Sequence, residues 1–250
     1  MRLGALLSFT DGNDPKATAK QAKQLESAGY SSIWVAHATG RGFMLSDPFI
    51  ALSAVAAVTE DVEIGTAILQ LPLYNPADIA LKCWSLQQLS GGRFILGIGA
   101  GSTENDYQVH DVAFEERFTL FESKLKALRE IFHTNQAADH DLTPWPSVRG
   151  GPPVFFGTWG KNVERAAREF DGWIASGMHR TPEECANALQ GYRKANGSRA
   201  MVSTIRIGAG DDLGEVSARL RAYEDAGFDD AVVMFLPGAP SPQAVRALIS

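Results

Sequence analysis

Short runs of β-branched, aromatic and small apolar residues recur along the chain at 3–9, 32–36, 62–68, 94–100, 153–157, 172–176, 201–207 and 230–235. Each is followed by a stretch with apolar residues at helical spacing, from Pro15–Ala28 to Pro242–Ile249. Eight strands alternating with eight helices imply parallel strands joined by right-handed crossovers. The economical solution is an α/β chain forming one (β/α)8 TIM barrel over residues 1–250. A doubly wound open sheet is the alternative.

Local punctuation agrees with this pattern. Asp14-Pro15, Asp47-Pro48, Asn75-Pro76, Thr181-Pro182 and Ser241-Pro242 each put a capping side chain before a proline suited to a first helical turn. Thr181 with Glu184 adds a capping-box spacing. These starts mark where strand-to-helix loops end, on the face where barrels carry their chemistry. One long irregular stretch, 133–153, reads as an insertion or a lid within the single domain.

Composition narrows the classes without naming one. The chain has 250 residues, 45% hydrophobic and 21% charged, with a net charge of −6. That balance gives no reason to expect nucleic acid or an anionic membrane as partner. No apolar run is long enough to span a bilayer, and the first residues read as a strand and not as a signal peptide. Cys83 and Cys185 form no CxxC pair, which fits ordinary thiols and a cytoplasmic setting. The histidines lack metal-ligand spacing, although His133 and His140 share a polar loop with Asp139 and Asp141.

The block LSGGRFILGIGAG, 89–101, places Gly97, Gly99 and Gly101 on alternate positions of an apolar strand. Such a row reads either as the floor of a site for a planar ligand or as a narrow layer inside the barrel. In a barrel the remaining candidates lie at strand ends: Phe9 and Thr10, His37 with the loop ATGRGFMLS at 38–46, Ala67 to Leu71, Ala100 to Asp106, Gly157 to Asn162, Gly177 to Arg180, Arg206, and Phe235 to Gly238.

His37 ends the second strand and reads as a proton donor near neutral pH, or as a ligand of a loop carbonyl. Glu104 and Asp106 read as acid/base groups or as loop-solvating charges, and Arg206 as an anion clamp or an ion-pair partner. The turn Gly157-Thr158-Trp159-Gly160-Lys161-Asn162 joins a strand to a helix. Its exposed N–H groups, the Thr158 hydroxyl and the Lys161 charge suit a phosphate, and Trp159 reads as a ring cover or as rim packing.

Several segments together resemble the bacterial luciferase-like monooxygenase superfamily. They are GYSSIWVAHA, AAVTEDVEIGTAILQLPLYNPADIA, LSGGRFILGIGAG, the FEER that follows, and GTWGKNVERAAREFDGWIASG. The resemblance runs in order over about 1–235 and implies a barrel with reduced FMN, or the 5-deazaflavin F420, at the strand C-termini. It implies oxygen activation on a small organic substrate, with a separate flavin reductase as partner, or hydride transfer from the deazaflavin. On the matching positions it assigns the cofactor to Ala67, Ile68, Gly99, Ala100, Gly157, Thr158 and Trp159, with a cis peptide at Ala67-Ile68; Ser102 in the same loop as Gly99, and Lys161 and Asn162 of the phosphate turn, complete the expected cofactor set.

The chain departs from the family pattern at two places. The second strand ends His37-Ala38 where the family often has Asp/Glu-His, and Ser102 stands where tryptophan or glutamate is usual. A cofactor-binding homologue without catalysis is therefore a further reading. The brevity of 133–153 implies a more open mouth. A barrel aldolase or isomerase would want a strand-end lysine, and none of the eight runs contains one. The stripe Ile79, Cys83, Leu86 and Leu89, with the apolar segment SDPFIALSAVAAV, predicts a homodimer.

Overall fold

The chain in this computed structural model is described over residues 1–7 and 12–249; the candidates Phe9 and Thr10 lie outside the described residues. Eight main strands form where the apolar runs predict them: β1 (Arg2–Leu7), β2 (Ser32–Val35), β3 (Glu63–Thr66), β4 (Phe94–Gly99), β5 (Val154–Gly157), β6 (Gly172–Ser176), β7 (Arg199–Ile207) and β8 (Asp230–Phe235). All pair in parallel in sequential order, and a short extension, Leu69–Gln70, pairs with the end of β4. Closure comes from Leu3↔Ala231 between β1 and β8 and from Ile64↔Phe94 between β3 and β4. A closed barrel, and not an open sheet, is therefore the fold.

The helices are α1 (Ala17–Ser27), α2 (Pro48–Ala56), α3 (Pro76–Leu89), α4 (Glu104–Val109), α5 (Arg117–Thr134), α6 (Val163–Glu169), α7 (Pro182–Lys194), α8 (Leu213–Ala226) and α9 (Pro242–Arg246). The short α4 is one more than the periodicity predicts, because six residues give too little repeat to read. Four of the five proline-led starts are capped as expected, by Asp47, Asn75, Thr181 and Ser241. Asp14 instead closes a turn ahead of α1, accepting from the Lys16 amide at 2.9 Å.

The barrel interior explains the glycines. Leu6, Trp34, Ile95, Phe155, Ile174, Met201, Val232 and Met234 form an inner cluster distinct from the larger apolar layer under the helices. Trp34 and Phe155 are too large for a barrel lined all round by side chains, so glycines stand opposite them. A Cβ on Gly65 would lie 2.3 Å from the Trp34 ring, and one on Gly172 2.6 Å from the Phe155 ring. A Cβ on Gly97 would meet the Thr66 carbonyl at 2.0 Å and Ile174 at 2.7 Å. The glycine row is thus a packing layer at Gly97 and not an open floor for a ligand. Gly101 leaves the row altogether: the strand ends at Gly99, and Gly101 turns at φ +77° against Gln70.

At the opposite, N-terminal end the barrel is closed by charges. Arg199 bonds Asp230 at 2.7 and 3.0 Å and Glu63 at 2.6 and 3.0 Å, and Arg2 reaches both acids. Each of these residues stands at or next to the start of its strand, a position that local patterning does not single out.

The 133–153 segment joins α5 to β5, so it also lies at the strand N-terminal end. It forms a two-residue antiparallel pairing, Gln136–Ala137 with His140–Asp141, and Ser147 bonds Gln88 at the end of α3 at 2.6 Å. It is an insertion below the barrel and not a lid, and its length does not set the openness of the mouth. Among the described residues no three His, Cys, Asp or Glu side chains converge as metal ligands. No helix among them is long and apolar enough to cross a membrane.

Candidate functional site

The loops after β2, β3 and β4 are tied together by one buried carboxylate. Asp106, at the start of α4, accepts from the Thr39 amide at 3.0 Å, Arg41 Nε at 2.9 Å, Arg41 Nη2, and Gln70 Nε2 at 2.7 Å. Gln70 Nε2 also donates to the His37 carbonyl at 3.2 Å, and the His37 amide donates to the Ile68 carbonyl at 3.1 Å. The Tyr107 hydroxyl donates to the Ala100 carbonyl and pins the β4 loop. Burial pushes the Asp106 carboxyl up. The hydrogen bonds from Arg41, Gln70 and Thr39 outweigh that and hold it below the usual carboxylate range. Asp106 is therefore a fixed anion that organises the mouth, and not a proton-exchanging acid. Arg41 and Asp106 are 65 positions apart, which no local motif could reveal.

His37 is buried, with Tyr74 at 5.1 Å and His110 at 6.1 Å between ring centres. Burial, then the charge of His110, depress its pKa to about 4, against the opposing pull of Asp106 and Asp47. The imidazole is neutral at pH 7, so the sequence expectation of a donor poised near neutrality is corrected. What remains is a hydrogen-bonding group without charge.

A stability consequence follows from this depression. Between 6.5 and about 4 the unfolded chain binds the histidine proton and the folded chain does not. Stability therefore falls as pH drops through that window, by on the order of 3 kcal/mol if His37 alone acts. NMR titration should show His37 neutral down to near pH 4.5 or lower, and His37→Gln should flatten the acid-side loss. A midpoint near 6.5 would contradict the burial argument.

Three buried polar atoms around this network have no hydrogen-bond partner: His37 Nδ1, Thr39 Oγ1 and Gln70 Oε1. Beside them the Ala67-Ile68 peptide bond is cis, as the resemblance implies. Ile68 is partly exposed and packs against the inner cluster. Its side chain takes the space left by Gly99 and Gly157, whose Cβ atoms would lie 3.2 and 2.4 Å from it. The glycines thus seat the Ile68 bulge. An apolar surface next to unsatisfied polar atoms fits a flat heterocycle with one polar edge.

The next stretch of rim is the turn after β5. Gly160, at φ +64°, opens the single 3-10 turn Gly160–Asn162, which leads into the seven-residue α6. The Trp173 indole donates to the Thr158 carbonyl at 3.0 Å, which fixes the turn. Trp159 packs 6.1 Å from the Trp173 ring and under the Arg180 guanidinium at 4.7 Å, so it is a rim residue held by neighbours. Lys161 is exposed, Thr158 and Asn162 are half-buried, and Ser102 is exposed in the β4 loop. His37, Ile68, Gly99 and Gly157 form one contiguous arc. Sequence reasoning included Gln70 and Thr39 among the strand-end loops but gave them no role, because only the folded mouth shows their unsatisfied atoms.

A family model described as luciferase-like monooxygenase matches residues 1–210. The chain is 24% identical over 251 residues to a putative coenzyme F420-dependent oxidoreductase of Mycobacterium tuberculosis, covering 89% of this chain and 71% of that one. A monooxygenase structure from Streptomyces bottropensis superposes with a TM-score of 0.78 at 18% identity, covering 99% of this chain and 96% of that one. An F420-dependent secondary alcohol dehydrogenase, in complex with an F420-acetone adduct, superposes with a TM-score of 0.78 at 16% identity, covering 99% and 98%. At such identities the structural likeness speaks for the barrel alone. The family match, which spans most of the chain including β2 to β7, carries more: this protein belongs to the luciferase-like monooxygenase family of oxidoreductase enzymes.

Proposed function

We propose that the mouth binds a reduced flavin-type cofactor and serves the oxidation or reduction of a small organic substrate. The observation that carries this reading is the pairing of the partly exposed Ile68 bulge with the unpartnered His37 Nδ1, Thr39 Oγ1 and Gln70 Oε1. The ring's apolar face would lie on Ile68, and small turns of the His37, Thr39 and Gln70 side chains would bring those buried atoms to its polar edge. When bound, the cofactor supplies the redox chemistry. The chain's own part is to hold and shelter it. Asp106 and Arg41 keep the loops in register, and the neutral His37 offers a hydrogen bond without a competing charge. The amides of the Thr158–Asn162 turn, with the Thr158 hydroxyl and Lys161, receive the phosphate. The seven residues of α6 add little dipole, so the turn itself carries that contact.

Reduced FMN with oxygen is the first form of this reading. Hydride transfer with F420 is the second, favoured by the names of the Mycobacterium tuberculosis relative and of the alcohol dehydrogenase. Fluorescence titration with both cofactors tests the site. Thr158→Ala should weaken the bound one by about ten- to hundredfold, the worth of one hydrogen bond to a charged group at roughly 1.5–3 kcal/mol. Binding of neither cofactor would overturn the proposal. Oxygen uptake with reduced FMN, or bleaching of F420 by substrate, separates its two forms.

A second copy of this chain is the partner we propose for the outer face of α2 and α3. The stripe Ile79, Cys83 and Leu86 faces the barrel and is buried, contrary to the expectation that it drives association. The exposed apolar positions are Ile50 at 71%, Leu81 at 62% and Leu89 at 51%. Light scattering should show a dimer at micromolar concentration and a monomer for Leu81→Asp; a monomeric wild type would refute pairing.

A further inference from the structure

Strand β7 contains an extra residue, and that residue decides what faces the mouth. Its pairing with β8 runs Met201↔Asp230, Val202↔Ala231, then Ile205↔Val233 and Arg206↔Met234. Three steps on β7 thus match two on β8, so Ser203 and Thr204 together stand opposite Val232, a bulge. Thr204 sits at φ +62°, a conformation rare for a β-branched residue. The pairing of β7 with β6 ends at the same point, at Ser203↔Ser176.

Side chains alternate across a strand, so one extra residue inverts every position beyond it. Before the bulge Met201 faces the barrel interior and Val202 the helix layer. After it Ile205 and Ile207 lie in the helix layer, and Arg206 shares the inner face with Met234. Without the bulge the parity would reverse. Ile205 and Ile207 would then line the mouth, and the Arg206 guanidinium would enter the apolar layer under the helices, at a prohibitive desolvation cost. The backbone here is held firmly: Arg219 donates to the Arg206 carbonyl at 2.8 Å, and the Leu236 amide donates to Ile207 at 2.8 Å. The Arg206 side chain is exposed, and among the described residues no acid pairs with it.

We infer that Arg206 is the residue that recognises an anionic group, carboxylate or phosphate, on the substrate. Met234, paired with it, and Leu236 supply an apolar wall on the same face. The substrate class this fits is an organic acid or phosphate ester with an apolar body. Arginine suits either anion through its planar, two-pronged donor edge. This deepens the proposed function, since it places the substrate on the β7–β8 side of a cofactor seated against β2 to β5.

The test separates the two levels. Wild type and Arg206→Gln are first titrated with FMN, riboflavin and F420. They should bind each cofactor within about twofold of one another. Protein with and without the bound cofactor is then titrated calorimetrically with phenyl phosphate, benzoate and the neutral benzyl alcohol. We expect at least one anion to bind wild type, to lose tenfold or more in Arg206→Gln, and to recover in part in Arg206→Lys, with benzyl alcohol unaffected. Equal anion binding by wild type and Arg206→Gln, or no anion binding by wild type in either form, overturns the assignment. So does a loss confined to FMN and absent for riboflavin, because Arg206 would then serve the cofactor phosphate. Failure of every cofactor to bind wild type defeats the redox reading alone; the titrations without cofactor still decide the role of Arg206.

Discussion

Arg199→Met should cost the fold about 3–5 kcal/mol, the usual penalty for removing one partner of a buried ion pair. Arg199 forks between Asp230 and Glu63 with four contacts of 2.6–3.0 Å, and Asp230 is only 1% exposed. Without Arg199 the Asp230 carboxylate keeps only Arg2, whose side chain is 44% exposed and shared with Glu63. A carboxylate confined inside the barrel has little access to water, so the lost attraction is not made up by solvation. Urea unfolding monitored by circular dichroism would measure the difference. The triple change Arg199→Met, Glu63→Leu and Asp230→Leu should recover much of it, because an apolar plug avoids the desolvation of all three charges. A single substitution costing under 1 kcal/mol would mean that water reaches Asp230 freely.

Asp106→Ala should be nearly as costly to stability and more costly to binding. It removes the acceptor of the Thr39 amide, of one Gln70 Nε2 hydrogen (the other keeps the His37 carbonyl) and of the Arg41 guanidinium at once. Each lost acceptor of a buried donor costs about 1–3 kcal/mol. Arg41 is partly exposed and can turn to water, so we expect a total of roughly 3 kcal/mol. Because Gln70 and Thr39 also carry the unsatisfied atoms of the mouth, cofactor affinity should fall at least tenfold while Arg199→Met, at the other end of the barrel, leaves it unchanged at temperatures where both are folded. In a double-mutant cycle Arg41→Ala and Asp106→Ala should be strongly non-additive, since both break one interaction. Unaltered affinity in Asp106→Ala would show that the loop network does not organise the site.

The barrel was legible because its signals are local. Runs such as SIWV and FILGIG favour strands whatever surrounds them, and an acceptor side chain before proline starts a helix using only its own next three residues. The βα alternation then leaves few topologies. The glycine row was visible, but its meaning was not. Whether Gly97 faces a ligand or a neighbouring strand depends on Thr66 and Ile174, which closure of the barrel alone brings to it.

The same division runs through the site. From the sequence by itself follow the eight strands, the end of the barrel where the candidate site lies, the turn at Thr158–Asn162, and His37 and Ile68 at strand ends, all set by short-range pattern and family resemblance. Tertiary structure decided what those residues can do. It neutralised His37 by burial, made Asp106 a structural anion by surrounding it with donors, and seated Ile68 over Gly99 and Gly157. It also turned Arg206 into the mouth through one unpaired residue on β7. These outcomes depend on contacts between segments tens of residues apart and on which face of a strand is buried. A period-2 pattern carries that information only until a bulge inverts it.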